Sequence, residues 1–293
     1  MCPCIWLVYE KSNNFVSVNF GIGQESAIYV SRHIGEELKK SASFKRGDYK
    51  EALIEVFLLL DEMMETAEGK KELSDISASI SSKGTSFFGK PENEDIAFYV
   101  GCTACVALLA KGEIYVANAG DSRCVISKGG VAHDLSVDHK PELEEEKRRI
   151  ERARGFVEDN RVNGILNLSR SLGDLEYKRN KALRQEDQMI TAMPEVTNRP
   201  ITPDIDFMIL ACDGIWDCLK SQQAVDFVLE RISKATFKNP DKIPKLSKII
   251  ENMLDKIIAT DVATSGIHFI NIKSILAGIG CDNMTCLVVS FKK

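Results

Sequence analysis

Residues 101–127 read GCTACVALLAKGEIYVANAGDSRCVIS, and this pattern sets the fold class. Thr103–Ala110 is apolar, Gly112 marks a turn, and Ile114, Val116 and Ala119 recur within Glu113–Ala119. Two strands joined by a tight connection are predicted. Gly120-Asp121-Ser122 breaks the second run, and Arg123–Ser127 resumes it. Asp121 is thereby placed where a buried strand meets a turn.

Upstream, Phe15–Val18 is a candidate short strand. Ala27, Val30, Ile34 and Leu38 recur at helical spacing within Gln24–Lys40. Asp48 with Glu51 forms a capping-box pattern before the apolar stripe Ala52, Leu53, Val56, Phe57, Leu60 and Met64, which Gly69 ends. A weaker helix is expected over Lys71–Ser79, then a polar surface loop over Ser81–Asp95. Downstream, Pro141–Arg154 reads as a charged helix. Its run Glu144-Glu145-Glu146-Lys147-Arg148-Arg149 reads as a solvated face. Asp174–Met193 is polar and mixed, an irregular excursion. Phe207–Cys212 is the continuous apolar run of a strand buried on both faces. Gln222–Ile232 and Ile243–Ile258 read as helices, Ala263–Ile279 fits either helix or strand, and Met284–Phe291 is a final strand. Helices and strands do not alternate regularly, so the class is α+β.

The 293 residues, 44% hydrophobic and 28% charged, have a globular composition. A net charge of −5 argues against general nucleic-acid binding, which needs a basic face. No apolar run reaches membrane-spanning length, and the start lacks signal-peptide features. The expected location is therefore cytoplasmic, nuclear or both. Nine cysteines are scattered, and free thiols are expected. Cys102 and Cys105 lie three apart on a predicted strand, so they point to opposite faces and make a poor metal pair. His33, His133, His139 and His268 have no metal-ligand spacing. Gly21-Ile22-Gly23 lacks the third glycine of a dinucleotide loop, and no phosphate-binding loop or nucleophile elbow is present.

Asp121, Asp213 and Asp282 share one context. Each sits at the junction of an apolar strand and a turn, with glycine adjacent or two residues away. Such carboxylates serve either as turn formers that accept backbone N–H bonds or as ligands of a hard divalent cation. Spacing does not decide between these.

Several segments together resemble the PPM (protein phosphatase 2C) family. They are Gly101-Cys102-Thr103-Ala104, Ala117-Asn118-Ala119-Gly120-Asp121-Ser122-Arg123, Asp138-His139-Lys140-Pro141 and Leu168-Ser169-Arg170-Ser171-Leu172-Gly173-Asp174. Leu210-Ala211-Cys212-Asp213-Gly214-Ile215-Trp216-Asp217 and Cys281-Asp282-Asn283-Met284-Thr285 complete the set, in the family's order. The resemblance runs from about Glu25 to Phe291. It implies one domain over 1–293, an α+β four-layer α-β-β-α sandwich of two antiparallel sheets flanked by helices. It implies hydrolysis of phosphoserine and phosphothreonine by metal-activated water, with Mg²⁺ or Mn²⁺ as cofactor. Carried over by motif, Asp213 and Asp282 bind one metal, Asp121 with Asp213 binds a weaker one, and residues 174–193 form a flap. Phosphoprotein substrates are the implied partners, with no nucleic acid, no membrane and a monomeric state expected.

The chain departs from the family at residues 1–24. No counterpart of the family's opening R-x-x-M-E-D strand is legible between Met1 and Phe15, so a missing first strand, an exposed sheet edge and lowered stability are expected. The D-G-H-G-G loop corresponds to Asn19-Phe20-Gly21-Ile22-Gly23-Gln24. Phe20 or Asn19 replaces its metal-bridging Asp, and Ile22 or Gly21 its His. Weak or absent activity is the expectation, from an altered gene product or from a pseudophosphatase that binds without hydrolysis. No catalytic residue is assigned. Another two-metal phosphohydrolase or a nuclease fits the acidity and the ordered motifs less well.

Overall fold

The structure, a computed structural model, describes residues 14–20, 23–81, 96–238, 245–258 and 284–291. The chain divides into two compact units. One comprises Cys2–Asp121 and Val137–Arg199; the other comprises Ser122–Ser136 and Pro200–Lys293.

The first unit holds strands β1 (Asn14–Phe20), β2 (Gly101–Ala110) and β3 (Glu113–Ala119). They pair antiparallel in that order, with Asn19 opposite Ala104 and Ala104 opposite Ala119. The predicted four-residue strand at Phe15–Val18 is thus a full seven-residue partner of β2. The expected absence of a strand before it concerns residues outside those described.

Helices α1 (Gln24–Lys40), α3 (Tyr49–Glu65) and α4 (Ala67–Ser81) pack together, with the short α2 (Ala42–Arg46) joining the first two. A single turn, α5 (Ile96–Tyr99), leads into β2. The α3 stripe from Ala52 to Met64 is buried throughout and meets Val30, Ile34 and Leu38 of α1 and Val106 and Leu108 of β2 in one core. Spacing of three and four residues places these side chains on one face, and their burial removes apolar surface from water. Asp48 does stand at the α3 N-cap position, but its side chain makes no capping bond. The α4 helix begins at Ala67 and runs past Gly69, so that glycine does not close α3 as expected.

The second unit is built on an antiparallel sheet. Its first two strands are β4 (Arg123–Lys128) and β5 (Val131–Asp134). The chain then returns to the first unit for α6 (Glu144–Arg152) and the small hairpin β6 (Val157–Glu158) with β7 (Arg161–Val162). There β8 (Leu172–Gly173) pairs with β2, and β9 (Glu195–Pro200) lies beside β3. Strands β10 (Ile205–Ala211) and β11 (Cys286–Ser290) complete the second sheet, in the order β11-β10-β4-β5. Every residue of β10 is buried, Asp206 included, and its apolar run Phe207–Ala211 fits a strand covered on both faces. Helices α8 (Ser221–Lys238) and α9 (Leu246–Ile257) pack on this sheet and on each other. Gln222 of α8 accepts from Ala132 N–H at 2.9 Å and donates to Gly130 O at 2.9 Å. One side chain thus occupies backbone groups on the open edge of β5, which otherwise invite another strand.

Cys102, Cys105, Cys124, Cys212, Cys218 and Cys286 are free thiols. No helix among the described residues is long and apolar enough to cross a membrane.

Candidate functional site

In the first unit, Asp121 follows the end of β3. Gly120 has φ +120°, and a Cβ there would overlap Cβ of Thr103. Only glycine lets β3 close so tightly on the start of β2. Thr103 is also the residue opposite Phe20. Phe20, one of the two candidates for the position of the family's bridging carboxylate, and the Gly120-Asp121 turn therefore flank the same residue.

The Asp121 turn is tied to residues 137–140. His139 N–H donates to Gly120 O at 2.9 Å, and Asn118 Nδ2 donates to Gly120 O at 3.0 Å and to Val137 O at 2.9 Å. The His139 ring lies on the same turn, with Nδ1 3.2 Å from both Gly120 N and Gly120 O. Its Nε2 has no hydrogen-bond partner among the described residues, and Glu195 Oε2 is 3.8 Å away. This turn brings Lys140 Nζ into an ion pair with Oδ2 of Asp121, which is 3% exposed. Burial pushes the Asp121 carboxyl above its ordinary range, against the pull of Lys140.

A second buried charge network holds the segment Ser169–Asp174. Glu146 of α6 meets Arg149 at 2.8 Å, Arg170 at 2.6 Å and Ser169 Oγ at 2.6 Å. Arg149 also donates to Ser169 O and Gln188 O, and Arg170 to Met193 O. The expectation of a solvated face over residues 144–149 therefore fails for Glu146 and Arg149, which are 3% and 6% exposed. They pair with each other along the helix, and Arg170, Ser169 and Gln188, distant in sequence, bury the pair, which a local reading does not register. The helix is also shorter than expected, since Pro141 precedes it.

Residues 174–193 are irregular, as read, with single 3₁₀ turns at Leu175–Tyr177 and Gln185–Asp187. Gln188 organises this excursion. It donates to Asn180 O and Leu183 O and accepts from Asn180 N–H.

In the second unit, Asp213 begins the single turn α7 (Asp213–Trp216) at the end of β10. Its Oδ1 accepts from Gly214 N–H at 2.8 Å. Trp216 Nε1 donates to Ala211 O, and the Arg123 guanidinium lies 5.2 Å from the Trp216 ring centroid. The first residue of β11, Cys286, is opposite Ala211, and Cys212 N–H donates to Thr285 O at 3.2 Å. The described part of β11 thus begins beside the Asp213 end of β10. Asp282 itself lies outside the described residues.

Among the described residues, no three His, Cys, Asp or Glu side chains cluster so as to hold a metal ion. Carboxylate oxygen is the right donor for a hard cation. Asp213, half-buried at a strand end, fits that role. Asp121 is also buried at a strand end, and its Oδ2 is ion-paired with the Lys140 ammonium. Sequence reasoning noted Asp138-His139-Lys140-Pro141 as a motif but missed this ion pair, which joins residues 19 apart.

Residues 10–266 match the family model described as Protein phosphatase 2C. "Protein phosphatase 2C 1" of Paramecium tetraurelia is 42% identical over 271 residues, covering 92% of this chain and 80% of the relative. A phosphatase structure from Toxoplasma gondii superposes with a TM-score of 0.66 at 20% identity, covering 98% of this chain and 87% of that one. A C. elegans sex-determining protein gives 0.59 at 24% identity; the match covers 96% of this chain but only 57% of that longer one. The structural likenesses agree with the α+β fold, and the sequence matches identify this chain as a member of the protein phosphatase 2C family.

Proposed function

We propose that this chain is a domain directed at phosphoserine and phosphothreonine segments of proteins, with hydrolysis that is weak or absent. Family membership supports the substrate class. The observation that carries the attenuated chemistry is the end of β1. Asn19 and Phe20 close the strand where the family loop has its metal-bridging Asp, and neither is a carboxylate. We assign one divalent cation, Mg²⁺ or Mn²⁺, to Asp213 with Asp282. Such a cation supplies charge neutralisation at a phosphoryl group. The chain's own residues position the strand end that carries Asp213. The β10–β11 pairing continues into hydrogen bonds between Cys212 and Thr285, beside Asp213, and the Glu146 network holds Ser169 and Arg170. A single domain, a monomeric state, phosphoprotein partners and a cytoplasmic or nuclear location complete this reading.

The test is phosphopeptide hydrolysis by the purified chain in Mg²⁺ and in Mn²⁺, beside Asp213→Ala. Turnover at or near background is expected. Robust hydrolysis that Asp213→Ala abolishes would overturn the attenuated reading and leave an ordinary phosphatase. A second reading, a binding module with no turnover, is favoured by the same β1 end. It predicts phosphopeptide binding, measured calorimetrically, without product.

A further inference from the structure

We infer that Lys140 is a tethered cation for Asp121, and that it keeps divalent metal ions off this carboxylate. The observation is the ion pair between Lys140 Nζ and Asp121 Oδ2. Burial makes it consequential. Asp121 is 3% exposed, whereas the Lys140 side chain keeps 31% of its surface. A buried carboxylate requires a matching charge, and moving one from water is costly without it. Lys140 provides that charge from within the chain.

The tether is stiff. The backbone beside Lys140 is held to the Asp121 turn by the His139-to-Gly120 and Asn118-to-Val137 hydrogen bonds. Pro141 follows immediately and restricts the backbone of Lys140. The ammonium therefore reaches Asp121 with only side-chain torsions left to order. A group tethered in this way acts as a partner at an effective concentration of roughly millimolar or more. A metal ion from solution must displace it, give up water and leave the lysine charge beside its own.

Mg²⁺ is poorly suited to that exchange because it demands near-octahedral oxygen coordination and sheds water reluctantly. The Asp121 turn thus carries its own positive charge at a fixed place, and it does so whether or not the chain turns over phosphopeptide.

The test counts bound Mn²⁺ by equilibrium dialysis and calorimetry on the full chain and three variants: Lys140→Ala, Asp121→Asn, and the two combined. Wild type and Asp121→Asn are expected to bind the same number of ions with the same affinity. Lys140→Ala is expected to gain one equivalent, or to bind an existing one about tenfold more tightly. The double variant is expected to lose that gain. Loss of an ion from Asp121→Asn alone would overturn the inference, since Asp121 would then be a ligand with Lys140 in place. No gain in Lys140→Ala would also overturn it. Should that variant fail to fold, as circular dichroism would report, Lys140→Met keeps the apolar stem. The same gain is then required of it. Failure of the attenuated-hydrolysis reading would appear in turnover assays and leave these ion counts unchanged.

Discussion

Lys178 Nζ lies 2.5 Å from Asp61 Oδ2, and both side chains are more than nine-tenths buried. This pair pins the start of the irregular excursion to the C-terminal part of α3. Asp61 also accepts from Gly173 N–H at 2.8 Å, and Lys178 donates to Ser171 O at 2.7 Å. Burial raises the Asp61 carboxyl above its ordinary range, and it outweighs the opposing pull of Lys178. The pair therefore holds position at an energetic cost, and how it is removed decides the sign of the effect.

Asp61→Ala leaves the Lys178 ammonium buried without its partner. A loss of about 3–5 kcal/mol is expected on urea denaturation. Asp61→Leu with Lys178→Met removes both charges together and should recover most of that loss. A double variant no more stable than Asp61→Ala would show that the hydrogen bonds to Gly173 and Ser171, and not charge burial, set the stability.

Glu146 behaves oppositely. Burial pushes its carboxyl up, but the Arg170 hydrogen bond, the charges of Arg149 and Arg170, and Ser169 together bring it down to about 2 from 4.5. A folded-state pKa below the unfolded one means stability present above pH 4.5 and lost as pH falls through about 2. The size is on the order of 3 kcal/mol, less the burial cost that also lowers the Arg149 pKa. Glu146→Gln should remove this component. Denaturation of wild type and Glu146→Gln from pH 6 to pH 2 should show their difference shrinking toward acid. A difference that stays constant with pH would sink this assignment.

The positions the sequence revealed are those whose burial follows a local period. Helix α1 has the predicted bounds because its four apolar positions repeat at three and four residues. Strand β3 does too, between Gly112 and Gly120. Strand β5 was illegible because its residues are mostly exposed and alternate with nothing. Strand β9 ends in exposed Asn198, Arg199 and Pro200, which carry no apolar alternation to mark a strand. In the candidate site, the strand-end placement of Asp121 and Asp213 was legible from the glycines and apolar runs beside them. The partners Lys140 of Asp121, Lys178 of Asp61 and Arg170 of Glu146 were not, since each lies across a turn or on another element.

Gly173 has φ +81°, and a Cβ there would overlap Val100 O. The β8 pair meets Gly101 and Cys102 at this point, so the backbones have no room to part. Gly173→Ala combines an unfavourable backbone region with a backbone clash. A loss of at least about 2 kcal/mol is expected in chemical denaturation. A variant within about 0.5 kcal/mol of wild type would mean that β8 shifts freely against β2.

The β1 end gives the decisive gain-of-function prediction. The family loop aligns with residues 19–24 in either of two registers. One calls for Phe20→Asp with Ile22→His, the other for Asn19→Asp with Gly21→His. Thr103 lies opposite Phe20 and against Gly120, so a carboxylate restored at the correct position joins the end of the sheet that already carries Asp121. In Mn²⁺, one of these double variants should raise phosphopeptide hydrolysis by roughly 10²-fold over wild type. The other should leave it unchanged, because adjacent residues on a strand face opposite sides. The active variant should also bind one more Mn²⁺ than wild type. If neither pair raises hydrolysis or ion count, the lost carboxylate is not what limits this chain.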